Sequence, residues 1–198
     1  GIFLLGECSE KAKDRVVSFG ERVSSLLFTE AMKMVWTERE VCLIDSREVL
    51  KTDSTFGKAK PQFEIIRQKA AEIFKFEKNA ETMAFVGQGY IGSDEYGSTT
   101  TLGRGGSDYS AALFAEAVKA DVLEIWTDVA GIATTDPRIC EGTKPINEIS
   151  YNEASEMAQY GAKILHPTTL APAMREGIPV FVGSSYDKDA KGTWIKED

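Results

Sequence analysis

Arg104, Ser107 and Asp108 stand within one glycine-rich turn, Leu102-Gly103-Arg104-Gly105-Gly106-Ser107-Asp108. The turn is entered from the β-prone ladder Thr99-Thr100-Thr101 and left through the helix-prone Ala111-Ala112-Leu113-Phe114-Ala115-Glu116-Ala117-Val118. A helix start offers unpaired backbone N–H groups and the positive end of the helix dipole, and glycines let an anion approach the main chain. Arg104 can hold a carboxylate through two parallel hydrogen bonds, while Glu21 or Asp108 can hold an ammonium, a pairing that suits an amino acid. Phosphoryl transfer needs cations and backbone donors around the transferring oxygens, a positioned nucleophile and usually Mg²⁺. Gly105 and Gly106 allow close approach, Asp108 can organise a metal or neighbouring lysines, and Arg138 and Lys163 can neutralise phosphate charge. Thr127-Asp128 can meet a nucleotide at a strand end. A carboxylate acceptor is already ionised at neutral pH, so transfer to it needs no general base.

Neither a G-x-x-x-x-G-K-[ST] phosphate loop nor a dinucleotide fingerprint occurs, because Gly103-Arg104-Gly105-Gly106 lacks the third glycine at the required place. His166 is the single histidine, which rules out a multi-histidine metal site; before Pro167 it reads as structural. Cys8, Cys42 and Cys140 have no metal-ligand spacing and make no disulfide framework, so they read as reduced. No protein metal site is expected. The 198 residues, 42% hydrophobic, can bury one sizeable core. A net charge of −8 argues against nucleic-acid binding through a broad basic surface. No apolar run approaches the roughly 20 residues of a membrane span, and no targeting pattern opens the chain, so a cytoplasmic protein without a membrane partner is expected.

The elements that must position these residues alternate. Apolar residues at Val16, Phe19, Val23, Leu26, Leu27, Ala31 and Met34 predict a long amphipathic helix over 14–34, with Ser18, Glu21 and Ser25 on a second face. Gly20 inside it suggests a close approach by a backbone or ligand. Strands are predicted at 41–44, 82–86, 121–127, 180–182 and 192–195, with a hairpin tip at 93–98 returning through Thr99. Pro61 is expected to open a helix reaching about Glu77, Asn152 to cap one over 153–160, and Pro167 to begin one ended by Gly177. Trp36, Trp126 and Trp194 read as packing residues. Such alternation predicts an α/β fold in which ligands collect at strand carboxyl ends.

Several blocks together resemble aspartokinases of the amino-acid kinase superfamily. They are the Thr100 to Asp108 turn, Trp126-Thr127-Asp128-Val129-Ala130-Gly131-Ile132, Thr134-Thr135-Asp136-Pro137-Arg138 and Gly161-Ala162-Lys163-Ile164-Leu165-His166-Pro167. Ser18-Phe19-Gly20-Glu21-Arg22 and Val180-Phe181-Val182-Gly183-Ser184-Ser185 extend the match. The resemblance implies a three-layer αβα sandwich around a mainly parallel sheet. It also implies ATP- and Mg²⁺-dependent phosphorylation of the L-aspartate β-carboxylate, the first step towards lysine, threonine and methionine. Glu21 and Arg104 would hold aspartate with Ser107 and Asp108 beside it, and Gly105, Gly106 and Asp108 would border the reacting phosphoryl group. Thr127, Asp128, Ala133, Arg138, Lys163 and Ile164 would line the ATP site, although Ala133 stands where the pattern has a Tyr near the adenine.

The Lys-Phe-Gly-Gly-Thr-Ser strand motif, whose lysine contacts the transferring phosphate, and the ACT regulatory domains of that family have no counterpart in the sequence. The chain is therefore expected to be an internal piece of a homo-oligomeric enzyme, nearly inactive by itself. Two alternatives stand beside aspartate: a superfamily member acting on acetylglutamate, glutamate, carbamate or UMP, and a non-catalytic nucleotide-binding or assembly module.

Overall fold

The computed structural model describes residues 7–74, 83–135, 140, 142–159, 167–187 and 189–197. The chain divides into two compact units, residues 1–110 and 111–198.

The first unit opens with helix α1 (Glu10–Val35), capped by Ser9, whose Oγ accepts from the Ala12 N–H at 3.2 Å. Strand β1 (Glu40–Leu43) pairs in parallel with β2 (Met83–Val86), Val41 opposite Ala84. Between them the short helix α2 (Ser46–Val49) starts at Asp45, whose carboxylate accepts from the Arg47 N–H, and α3 spans Phe63–Ile73. Pro61 does not open α3; it forms an antiparallel bridge with Thr52, and Gln62 precedes the helix. The hairpin is β3 (Ile91–Ser93) against β4 (Thr99–Thr101), its tip held by Asp94 Oδ1, which accepts from the Tyr96 and Ser98 N–H groups.

The face that α1 buries is a correction. Its apolar stripe is exposed, Leu27 at 66% and Met34 at 82%, whereas Asp14, Ser18, Ser25 and Thr29 are buried. A Cβ added at Gly20 would meet nothing within 4 Å, so the expected close approach there is not made by any described residue. Polar residues turn inward because they face main-chain donors and an amide side chain rather than a hydrocarbon core. Their own hydroxyls are satisfied along the helix: Ser18 donates to the Arg15 carbonyl, Ser25 to Arg22 and Thr29 to Ser25.

Helix α4 (Gly106–Val118) carries the chain into the second unit. There β5 (Leu123–Thr127), β6 (Glu148–Ser150), β7 (Val180–Ser184) and β8 (Thr193–Lys196) form a sheet in the order β5-β7-β8-β6. The β5–β7 and β6–β8 pairs are parallel and β7–β8 is antiparallel. Helix α5 (Tyr151–Gln159) follows β6, and α6 spans Pro167–Glu176. The cap of α5 is Ser150 rather than Asn152: the Ser150 N–H donates to Glu153 Oε2, and Ser150 Oγ accepts from the Glu153 N–H, a reciprocal box. Gly177 ends α6 with φ +63°.

Strand alternation sends Leu123, Ile125, Val180, Val182 and Ile195 to one face, where they pack with Ala112, Ala115, Tyr151, Leu170 and Ala173. The other face carries an aromatic ladder in which Phe181 stands 5.4 Å from Trp126 and 5.0 Å from Trp194, centroid to centroid. Trp126 and Trp194 therefore both pack on Phe181 and Trp36 lies under the Arg39 guanidinium, but all three tryptophans are exposed and none is a core residue. Glu116 is 4% exposed and receives both the Arg175 Nε and Nη2 hydrogens, at 3.0 and 2.6 Å, fastening α4 to α6.

The two classes of apolar position separate on truncation. Leu170→Ala is expected to destabilise by about 2–5 kcal/mol through a core cavity, and Leu27→Ala by no more than about 0.5 kcal/mol. Denaturant unfolding of the two variants measures both.

Candidate active site

The glycine turn has the conformation its sequence demands. Gly103 and Gly105 take φ of +79° and +71°, a region that side chains strain, and α4 starts at Gly106. The Gly106 N–H donates to the Gly103 carbonyl and the Tyr109 N–H to Gly105, both at 3.0 Å. Space is as restrictive as φ: a Cβ on Gly106 would lie 2.7 Å from the Tyr90 ring, and one on Gly103 3.1 Å from the Gly57 carbonyl oxygen. Arg104 is thereby exposed between two glycines. Ser107 is exposed in the first turn of α4, and Asp108 beside it is half-buried. Burial pushes the Asp108 carboxyl above the usual carboxylate range.

Glu21 is half-buried on α1, on the face shared with Asp14, Ser18 and Ser25. Two polar clamps flank it. Ahead of it, the Asp14 carboxylate accepts from the Gly57 and Thr101 N–H groups. Behind it, Ser25 Oγ accepts from Gln88 Nε2 at 2.8 Å, while Gln88 Oε1 accepts from the Ser46 N–H at 2.8 Å. The helix of Glu21 and the turn of Arg104 are thus tied within the first unit.

Tyr90 is a residue that sequence reasoning passed over. Its φ is +70°, rare for an aromatic residue, and its main chain staples the turn from both sides. The Tyr90 N–H donates to Ser110 Oγ at 3.0 Å, Ser110 Oγ donates to the Ser107 carbonyl at 2.7 Å, and the Tyr90 carbonyl accepts from Leu102. The close glycines Gly87, Gly89 and Gly92 were the available signal: a Cβ on Gly89 would sit 3.2 Å from Ser107 Cα.

The nucleotide candidates belong to the second unit. Thr127 ends β5, opposite Ser184 of β7, and its carbonyl accepts from both the N–H and Oγ of Ser185. Thr127 Oγ1 donates to the exposed Asp128 at 3.0 Å. Gly131 takes φ +113° where a Cβ would lie 2.6 Å from Thr193 Oγ1, so the chain turns tightly before Ala133, which bridges Pro145. Thr127, Asp128 and Ala133 therefore share one strand-end loop. Arg138, Lys163 and Ile164 lie outside the described residues, as does His166. Among the described residues no three acidic, histidine or cysteine side chains assemble for a metal, and no helix is long and apolar enough to cross a membrane. Cys8, Cys42 and Cys140 are not joined in disulfides.

Residues 5–184 match the Amino acid kinase family. The lysine-sensitive aspartokinase 3 of Escherichia coli is 50% identical over 184 residues, 92% of this chain and 40% of that protein. The aspartokinase of Chlamydia pneumoniae is 38% identical over 191 residues, 96% and 41% of the two chains. Among solved structures, E. coli aspartokinase III in complex with aspartate and ADP superimposes with a TM-score of 0.88 at 47% identity, covering 96% of this chain and 42% of that one. UMP kinase from Bacillus anthracis, at 17% identity and a TM-score of 0.64, shares the fold. The chain is thus a mixed α/β protein with mainly parallel pairing and the fold of aspartokinases, and it spans about two fifths of the relatives' length.

The raised Asp108 carboxyl has a measurable sign. Folded protein holds that proton more tightly than unfolded chain does, so the associated stability is complete below the ordinary value of 3.8 and is lost as pH rises through the folded value. Asp108→Asn removes the loss. Thermal unfolding should show the variant melting above the parent at neutral pH and the two converging by about pH 3; equal melting temperatures at pH 7 contradict it.

Proposed function

The chain belongs to the amino acid kinase family, and we propose that it supplies the aspartate- and nucleotide-binding parts of an ATP-dependent aspartate kinase. The observation that carries this reading is a two-glycine turn presenting Arg104 at the start of α4, tied through Asp14 to the helix that bears Glu21. The aspartokinase structure matched above holds aspartate and ADP, and it is 47% identical to this chain.

Glu21 takes the substrate ammonium, and Arg104 takes a carboxylate through its planar fork, with Ser107 and Asp108 alongside. The start of α4, around Gly105 and Gly106, turns its positive dipole end to the phosphoryl oxygens, and Asp108 borders the same place. A β-carboxylate oxygen attacks the γ-phosphorus of ATP, the bond from that phosphorus to the β,γ-bridging oxygen breaks, and ADP departs with the electron pair. The acceptor is ionised beforehand, so no proton has to be removed. Thr127, Asp128 and Ala133 contact ATP, joined by Arg138, Lys163 and Ile164. Mg²⁺ would accompany ATP as its counter-ion and would neutralise charge on the transferring phosphoryl group.

In this reading the product is 4-phospho-L-aspartate, made in the cytoplasm for lysine, threonine and methionine synthesis, and the working enzyme is a homo-oligomer. The chain spans about two fifths of the relatives' length. Substrate and nucleotide contacts are therefore assigned to the chain, and turnover to the intact enzyme. Arg104→Lys keeps the charge and loses the fork. In steady-state assays of the intact enzyme it should raise the KM for aspartate about tenfold with little change in the KM for ATP; equal changes in both, or none, contradict the assignment.

A further inference from the structure

Asp14 is seven residues ahead of Glu21 on α1, about 10 Å along the axis and on the same face. It is 2% exposed and is met from two directions. Oδ2 accepts from the Gly57 N–H and from the Thr101 N–H, each at 2.9 Å, and Oδ1 accepts from Thr101 Oγ1 at 2.9 Å. Thr101 closes β4, three residues before Arg104. Its own carbonyl accepts from the Ala59 N–H at 2.8 Å, and the next residue, Leu102, donates to Tyr90. Gly57 belongs to the loop on which Gly103 rests, since a Cβ at Gly103 would lie 3.1 Å from the Gly57 carbonyl oxygen. Two segments that shape the base of the Arg104 turn, the end of β4 and the loop at Gly57, thus meet at one carboxylate, and that carboxylate rides on the helix bearing Glu21.

We propose that Asp14 is a positioning residue for substrate recognition: it sets the separation between Glu21 and Arg104, the groups assigned to the ammonium and carboxylate of the amino-acid substrate. The inference rests on that assignment for its functional consequence, while the clamp itself is a property of the first unit. Asp14 touches no substrate. A carboxylate suits the task because it accepts all three hydrogens without rearrangement, whereas a buried hydroxyl or amide has donors of its own to place. Losing it leaves two main-chain N–H groups and a hydroxyl without an acceptor and frees the helix to slide against the turn. Small displacements of this kind weaken a two-point recognition more than they weaken contacts made by residues of the second unit.

The test compares Asp14→Ala, Asp14→Asn and Thr101→Val with the parent chain, using hydrogen exchange at single amides and calorimetric titration with L-aspartate and with Mg-ADP. Asp14→Ala should speed exchange at the Thr101 and Gly106 amides at least about tenfold, with the Val182 amide of the second unit unchanged. It should weaken L-aspartate binding about tenfold and Mg-ADP binding less than about twofold. Asp14→Asn, which can still accept from both main-chain N–H groups through one oxygen, should recover most of the loss. Exchange that rises equally in both units, or aspartate and ADP affinities that fall together, would make Asp14 a merely structural residue and overturn the inference. If Asp14→Ala does not fold, Thr101→Val, which removes only the hydroxyl donor, should show the same pattern at smaller amplitude, and its absence there is equally decisive. A parent that binds no L-aspartate but whose turn responds in exchange overturns the functional assignment and leaves the clamp; binding with an unresponsive turn does the reverse.

Discussion

A carboxylate buried in a protein must be met by donors, because an ionised group without them costs far more than a single hydrogen bond returns. Among the described residues of the first unit, neutral groups answer this requirement at Asp14: the Gly57 and Thr101 main chain and the Thr101 hydroxyl. Such a solution is directional. It fixes where α1 lies against β4 and the 57 loop, and it explains why the helix turns polar residues inward and leaves its apolar stripe outside. The same carboxylate thus ties the helix of Glu21 to the end of β4 and to the loop on which Gly103 packs.

The second unit reaches rigidity by other means. Its sheet buries one aliphatic face, and a buried hydroxyl helps pin the loop after β5: Thr193 Oγ1 accepts from the Ile132 N–H at 2.7 Å and donates to the Ile146 carbonyl. Gly131 makes that contact possible, since any side chain there would collide with Thr193. Thr127 and Asp128, at the head of this loop, are therefore held by sheet register on one side and by a buried hydroxyl on the other. Preorganised groups of this kind can receive a ligand without the cost of ordering a loop first.

Much of this was legible in the sequence, for physical reasons. Strands with clear apolar runs, such as Val180 to Val182, and helix stops such as Gly177 announce themselves locally. The glycine turn was readable because positive φ and close packing both demand glycine. What escaped depended on distant partners. A helical Asp14 looks like any solvated charge until Thr101, 87 positions away, is seen to donate to it. Tyr90 gives no sign of its positive φ, Pro61 was drawn from a helix start into a bridge with Thr52, and the apolar stripe of α1 reads as a core face although it is exposed.

The proposed function divides the labour: residues 1–110 recognise the amino-acid substrate and border the transferring phosphoryl group, and residues 111–198 hold the rest of the nucleotide. Backbone amide chemical-shift mapping of the 198-residue chain, titrated separately with L-aspartate and with ADP, tests it most directly. L-Aspartate should perturb the amides around Glu21 and from Arg104 to Asp108, and ADP those from Thr127 to Ala133. L-Aspartate shifts confined to the second unit, or none in either, would contradict it.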